Sequence, residues 1–153
     1  MTVGRLLGIA RHDRPRGPME TVERVRVTRE LGLAGDYRGA ILPGKSGRRQ
    51  ISLIEAESWA AAMADLGADV PWQERRANLL VAGLRLPRQA GPIIAIGPSL
   101  RIEITCECDP CSRMEEMTSG LKAALLPDWR GGALGRVLAD GEIAVGDEVR
   151  IET

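Results

Sequence analysis

Three cysteines stand close together in this chain, Cys106, Cys108 and Cys111, and they are its only cysteines. A cysteine thiolate is a nucleophile and a ligand for soft metals. An odd number of clustered cysteines is not typical of a secreted disulfide framework. The cluster therefore leaves three interpretations open, which are a reactive thiol, a metal site and ordinary packing.

Cys111 differs from the other two cysteines in its sequence context. It follows Asp109-Pro110 and precedes a polar segment, Ser112-Arg113, that is typical of a helix start. A thiol at a helix N-terminus lies at the positive end of the helix dipole, which favours the thiolate. Spacing alone leaves a functional and an inert Cys111 equally open.

Cys106 and Cys108 alternate along a predicted strand, so they share one face, and packing in the core is the favoured interpretation. A structural zinc site commonly takes four ligands in two pairs. The sequence offers no second cysteine pair, and the only histidine, His12, is distant in sequence. His12 lies in a charged loop and is expected to be solvated, although Cys-His catalysis would have to use it.

Two glycine-containing segments resemble phosphate loops. Gly39-x4-Gly44-Lys45-Ser46 fits the P-loop pattern, which requires a buried strand before it and a helix after it. Neither element is predicted there, so we interpret the segment as a flexible loop and keep nucleotide binding through Lys45 as an alternative. Arg130-Gly131-Gly132 is the second segment, for which a tight turn entering a strand is the alternative.

The composition limits the functional classes. The 153 residues are 44% hydrophobic and 27% charged, as expected for one globular domain spanning 1–153. Twenty-one basic residues balance 21 acidic ones, which argues against nucleic-acid and membrane partners. No apolar run reaches the roughly 18 residues of a membrane span. The N-terminal segment lacks the features of a signal peptide, so a cytoplasmic location is expected.

Short strands separated by glycine and proline predict an α+β, mostly β, barrel-like fold with a few short helices. Ser52 and Glu55 would form a capping box for the first helix. The predicted strands span 3–10, 21–28, 51–54, 79–84, 93–96, 100–108, 133–138 and 148–152. The predicted helices span 54–66 and 114–126, with a helical turn in 71–78.

Several short motifs, taken in order, resemble those of MOSC domains, a family named after the C-terminal domain of molybdenum cofactor sulfurases. The resemblance covers about residues 5–152. Tyr37-Arg38 stands where family members often have a histidine. The motifs are Gly32-Leu33-Ala34-Gly35-Asp36, 49–55, Arg75-Arg76-Ala77-Asn78-Leu79, 91–97, Pro110-Cys111-x-x-Met114-Glu115, Arg130-Gly131-Gly132 and Gly146-Asp147.

This resemblance implies a MOSC-like β-barrel that binds a molybdenum cofactor of the molybdopterin type; pyridoxal phosphate is not expected. It implies Cys111 as the catalytic residue and molybdenum ligand, in an oxidoreductase that reduces N-hydroxylated small molecules with electrons from a separate donor protein. The alternative is a carrier module without turnover that holds the cofactor or a persulfide. The residues expected to bind the cofactor are Arg49, Arg76, Asn78, Arg130, Gly131 and Gly132.

Overall fold

A closed barrel of seven strands forms the body of the protein in the computed structural model, which describes residues 2–152. The barrel closes where the first strand pairs with the last, Gly4 opposite Val149 and Arg5 opposite Glu148. Around the barrel the order is β1 (Gly4–Arg11), β6 (Leu79–Ala82), β5 (Ile51–Glu55), β9 (Ala133–Ala139), β8 (Leu100–Glu107), β7 (Ile93–Ile96) and β11 (Glu148–Glu152), while β2 (Glu20–Val22) pairs with β1 outside the ring.

Alternating side chains explain why these segments close around a core. In β8, Ile102 and Ile104 are fully buried, whereas Arg101 and Glu103 are half-buried. One face of each strand therefore fills the barrel with aliphatic side chains, which suits a chain without phenylalanine. The expected α+β, mostly β, barrel is confirmed.

A second sheet and three short helices cover the barrel. The sheet contains β3 (Arg24–Thr28), β4 (Gly32–Leu33) and β10 (Gly141–Ala144), and the helices are α1 (Ala56–Leu66), α2 (Ser112–Met117) and α3 (Leu121–Leu125). A second apolar cluster, which includes Trp59, Met63 and Leu121, packs the helices against the outer face of β5 and β6. Within residues 2–152, none of these helices has the length and apolarity that crossing a membrane requires.

The structure corrects three local predictions. The helix expected over 114–126 is two helices, because Gly120 takes a left-handed conformation with φ 87° between them. The segment joining the last two predicted strands contains an additional strand, β10. The capping box is wrong, since Ser52 lies inside β5 and Glu55 makes no side-chain cap; Glu55 instead accepts a hydrogen bond from the backbone of Leu86 at 3.0 Å.

Strand register brings the segment after β8 to the start of β5. Leu134 of β9 lies opposite Ser52 on one side and opposite Cys106 on the other. A β-bulge at Thr105 lets two residues of β8 oppose one of β9, which interrupts the alternation immediately before the cysteines. The segment 106–111, which we call the cysteine segment, therefore leaves the barrel beside the residues that begin β5 and precede β6.

Candidate functional site

A cleft of about 550 Å³ opens where the ends of β1, β4 and β8 meet the starts of β5 and β6. We call it the arginine cleft, after the residue type that dominates its wall. Its ionisable and thiol side chains are Arg16, Arg38, Arg49, Arg75, Arg76 and Arg113, with Asp36, Asp109, His12, Cys108 and Cys111.

The charge of the arginine cleft is unbalanced. Six arginines face two aspartates, and none of the six forms an ion pair with a carboxylate within residues 2–152. Burial, together with the nearby Arg113, lowers the pKa of Arg76 below its usual value. Clustered guanidiniums that repel one another, and that have no carboxylate partner within residues 2–152, have the chemistry to bind an anion.

Cys111 lies at the rim of the arginine cleft with its side chain exposed. It is the N-cap of α2, and its carbonyl accepts a hydrogen bond from the backbone N–H of Met114 at 3.0 Å. The predicted position at a helix start is therefore confirmed. An exposed thiol at the edge of a cationic cleft is accessible to a ligand bound within it.

Cys106 and Cys108 do not occupy equivalent positions, contrary to the expectation that they share one face in the core. Both are half-buried, but Cys106 lies after the bulge in β8, whereas Cys108 lies beyond the strand and lines the arginine cleft. The Cys108 sulfur lies 3.3 Å from Nη2 of Arg75, which donates a hydrogen bond to it.

Arg75 fixes the cysteine segment from behind. Its side chain is buried, Nε donates to the carbonyl of Gly131 at 3.1 Å, and Nη2 donates to the carbonyl of Cys108 at 2.9 Å. Arg75 ends a 3₁₀ turn, Trp72–Arg75, and Arg76 follows in a left-handed conformation with φ 68°. This reversal places two adjacent arginines in different roles, one buried behind the cysteine segment and one half-buried in the cleft wall.

Asn78, the residue before β6, connects β1 and β5 beneath the cleft. Its Oδ1 accepts hydrogen bonds from the backbone N–H of Ser52 at 3.0 Å and from the Ser52 hydroxyl at 3.1 Å. Its Nδ2 donates to the carbonyl of Ala10 at 3.2 Å. The amide is thus engaged by β1 and β5, and Asn78 positions the floor of the cleft.

His12 is buried in the cleft wall, contrary to the expectation that it is solvated. Only 7% of it is exposed, and its Nδ1 has no hydrogen-bond partner among the described residues. Nδ1 lies 3.4 Å from Oδ1 of Asp36 without hydrogen-bond geometry. Burial lowers the pKa of His12 below 6.5; Asp36 opposes this shift, and Arg76, Arg38 and Arg113 add to it.

Three residues expected to bind the cofactor do not line the arginine cleft. Arg130 instead pairs with Asp65 at 2.6 Å and donates to the carbonyl of Ala124, so α1 and α3 hold it. Gly131 and Gly132 permit close backbone packing, since a Cβ on Gly131 would lie 2.5 Å from the Cys108 oxygen. A Cβ on Gly132 would lie 2.3 Å from the Leu53 oxygen.

Four of the seven residues expected at the site, Arg49, Arg76, Asn78 and Cys111, therefore line one cleft. Sequence reasoning did not identify Arg38, Arg75, Arg113 or Asp36 as part of the site. Asp36 carried a signal, since it follows Gly35 in a recognised motif. Arg75 carried one as well, since it begins the recognised motif that contains Arg76 and Asn78. Arg38 and Arg113 lie outside such a signal, because the chain has many arginines and their spacing in sequence does not distinguish a cleft from a surface.

Within residues 2–152, no group of three or more His, Cys, Asp and Glu side chains is placed to hold a metal ion. Two thiols line the cleft: Cys111 is exposed, whereas Cys108 is half-buried and accepts a hydrogen bond from Arg75. So few soft donors suit a metal that arrives with its other ligands already attached.

Comparison with known proteins identifies the family. The family model for the MOSC domain matches residues 27–150. No curated protein matches the chain in sequence.

Solved structures of low sequence identity share the fold. The structure of the YuaD protein from Bacillus subtilis superimposes with a TM-score of 0.78 and 20% identity, covering 97% of this chain and 95% of that one. YiiM from Geobacillus stearothermophilus gives a TM-score of 0.72 and 17% identity, over 98% of this chain and 75% of that one. YiiM from Escherichia coli gives a TM-score of 0.68 and 18% identity, over 97% of this chain and 70% of that one.

Proposed function

The chain belongs to the MOSC domain family, and we propose that its arginine cleft binds a molybdenum cofactor of the molybdopterin type with Cys111 as the protein's ligand to the metal. One observation carries the proposal: six arginines that have no carboxylate partner among residues 2–152 surround a cleft whose rim presents an exposed thiol. That combination suits a ligand with a phosphate at one end and a soft metal centre at the other.

The residues present fit such a group. Arg38, Arg49, Arg76 and Arg113 offer guanidinium donors for a phosphate dianion, and none of them has to break an ion pair within the described chain to do so. The side-chain amide of Asn78 already forms hydrogen bonds to β1 and β5, so it supports the floor of the cleft and is not a main contact of the cofactor. We do not include Arg130, Gly131 and Gly132 among the contacts, because they lie behind the cysteine segment.

The reaction we propose is the reduction of an N-hydroxylated compound. An N–O bond breaks, two electrons and two protons are taken up, and the products are the amine or amidine and water. The bound cofactor would supply the two-electron redox centre, and a separate donor protein would return the electrons. His12 lies in the cleft wall, where burial lowers its pKa, and we propose it as the side chain that relays a proton.

A second candidate function is a carrier without turnover, which holds cofactor or a persulfide for a partner. Cys108 favours it, because a second thiol lines the same cleft as Cys111 and receives a hydrogen bond from the buried Arg75. A thiolate that attacks a persulfide takes its outer sulfur by the chemistry of thiol–disulfide exchange, and the second thiol is such a nucleophile.

Purification from a host that makes the cofactor tests the proposal. We expect molybdenum and pterin to copurify with the wild-type protein in equal amounts and to be lost from Cys111→Ser. Cys106→Ser, which changes a cysteine outside the cleft, is the matched control and should retain both. If the purified protein contains neither molybdenum nor pterin, cofactor binding at this cleft is refuted.

A reductase assay separates the two candidates. Loaded protein, given an artificial electron donor and benzamidoxime, should form benzamidine if the enzyme interpretation is right, and Cys111→Ser should lower the rate by orders of magnitude. Loaded protein without N–O cleavage supports the carrier. Cleavage that survives Cys111→Ser contradicts the assignment of Cys111.

A further inference from the structure

A second cavity, of about 450 Å³, lies beside the arginine cleft. The loop between β4 and β5 forms its wall, from Tyr37 to Gln50, and we call it the loop cavity. Tyr37, Arg38 and Arg49 line both spaces, so the loop cavity and the cleft are neighbours with a shared wall. The two spaces therefore adjoin at these three side chains.

The loop is held in place by its ends. Gln50 is 3% exposed and donates hydrogen bonds to the carbonyls of Arg29 and Gly39, each at 3.0 Å, while it accepts one from the backbone of Val137 at 2.9 Å. The hydroxyl of Thr105 donates to the carbonyl of Arg48. The cavity is thus bounded by a loop anchored to Arg29, which follows β3, and to β8 and β9.

The segment 39–46 that matches a P-loop pattern lies in this wall, but its surroundings differ from those of a nucleotide site. The loop runs from β4 to β5 without a helix after Lys45. The cradle of amides at a helix N-terminus, which a P-loop provides for phosphates, is therefore missing from this segment. Lys45 is instead one of several cations in the wall of a partly apolar cavity.

The lining of the loop cavity combines apolar and cationic side chains. Ile41 is half-buried and packs against Gly47, whose missing Cβ would lie 2.6 Å from Cδ1 of Ile41. Leu42 leaves 63% of its surface exposed. Lys45 and Arg48 line this cavity and not the cleft, and neither forms an ion pair with a described carboxylate.

We propose that the loop cavity is a subsite for an organic anion with an apolar body, which Ile41 and Leu42 contact while Lys45 and Arg48 bind its carboxylate or sulfonate. This rests on the proposed function, because it defines the substrate class: an N-hydroxylated compound whose reactive group enters the arginine cleft and whose acidic end stays in the loop cavity. Exposed apolar surface and unpaired cations within one cavity match both parts of such a molecule.

Binding to cofactor-free protein tests the subsite without turnover. The probes are 1-anilinonaphthalene-8-sulfonate and its uncharged analogue N-phenyl-1-naphthylamine, followed by fluorescence titration at low salt. We expect one sulfonate probe per chain, bound about tenfold more tightly than the neutral one. Lys45→Gln combined with Arg48→Gln should weaken the sulfonate probe about tenfold and leave the neutral probe nearly unchanged.

Three further variants locate the site. Leu42→Ser should weaken both probes, because it removes apolar contact. Arg26→Gln is the matched control, since Arg26 is exposed on β3 and lies outside both spaces, and it should bind as wild type. Arg76→Gln, which changes the cleft alone, should spare probe binding. Sulfonate binding that is insensitive to Lys45→Gln with Arg48→Gln, or that is lost in Arg76→Gln, overturns the proposal.

Kinetics on cofactor-loaded protein give an independent readout. Benzamidoxime with a carboxylate in the para position should show a KM several-fold lower than that of the unsubstituted compound. Lys45→Gln with Arg48→Gln should remove the difference while kcat changes little. Equal KM values for the two substrates in the wild type overturn the subsite. Failure of cofactor loading refutes the proposed reductase, whereas probe binding that depends on Lys45 and Arg48 still supports the anion subsite.

Discussion

Asn78 joins β1 and β5 below the arginine cleft, and we expect Asn78→Ala to destabilise the fold more than it affects any ligand contact. The substitution removes two hydrogen bonds that Ser52 donates, at 3.0 and 3.1 Å, and one that Asn78 donates to Ala10, at 3.2 Å. Asn78 is 5% exposed and Ser52 is 9% exposed, so water has little access to the groups left behind.

The magnitude follows from these three bonds. A buried hydrogen bond contributes about 1 kcal/mol, and groups left unsatisfied raise the cost, so we expect about 3 kcal/mol less unfolding free energy. For a chain of this length that corresponds to a melting temperature lower by about 6–12 °C. Urea unfolding followed by tryptophan fluorescence measures the change directly, because the chain has three tryptophans in and around its core.

Two comparisons make the test specific. Gln89→Ala removes an exposed amide and should change stability by less than about 0.5 kcal/mol. Ser52→Ala in a double-mutant cycle with Asn78→Ala should give a coupling energy of about 1–2 kcal/mol, since the two side chains bond each other. A loss below about 1 kcal/mol in Asn78→Ala, or independent effects in the cycle, would refute the supporting role.

Three other predictions follow from the surroundings of the cleft. Burial lowers the pKa of His12, so on acidification the unfolded chain binds this proton before the folded protein does. The free energy of unfolding should therefore fall from about pH 7 to pH 5, and His12→Gln should weaken that pH dependence. An unchanged pH profile in His12→Gln would contradict this. Gly131→Ala should cost about 1–3 kcal/mol and alter the alkylation rate of Cys111, because its Cβ would meet the Cys108 oxygen; equal rates would argue against the contact. Cys106→Ala should lower the free energy of unfolding by about 1 kcal/mol and leave the alkylation rate of Cys111 unchanged, as thiol labelling can show.

The strands were predictable because period-2 alternation reflects burial directly. Most predicted strands exist with ends shifted by a few residues. Predictions of helix and strand continuity were wrong where a local backbone conformation interrupts the element. Gly120 divides a helix whose apolar spacing is continuous in sequence. The bulge at Thr105 interrupts the alternation of buried and exposed side chains, although the alternation of residue types continues. Ser52 and Glu55 have the right spacing for a cap, but hydrogen bonds across the fold engage both side chains.

The site was predictable only in part. Cys111 and Arg76 were found because neighbouring residues signal a helix start and a recognised motif. Arg75 differs from Arg76 in role because one left-handed residue reverses the chain, and sequence does not reveal that reversal. The sequence neighbours of His12 are those of a charged loop, yet His12 is buried, and its backbone N–H donates to Asp36, a residue distant in sequence.

Barrel closure has a consequence for how the chain reaches this structure. β1 precedes every other described strand in the chain and β11 follows them all, yet only two register pairs between them close the ring. During translation β1 therefore lacks one neighbour until β11 has left the ribosome. Contacts this distant in sequence slow folding, and an unpaired edge invites association with other chains. Chains stalled before β11 should present an open barrel edge, and the cell's chaperones are expected to meet the protein in that form.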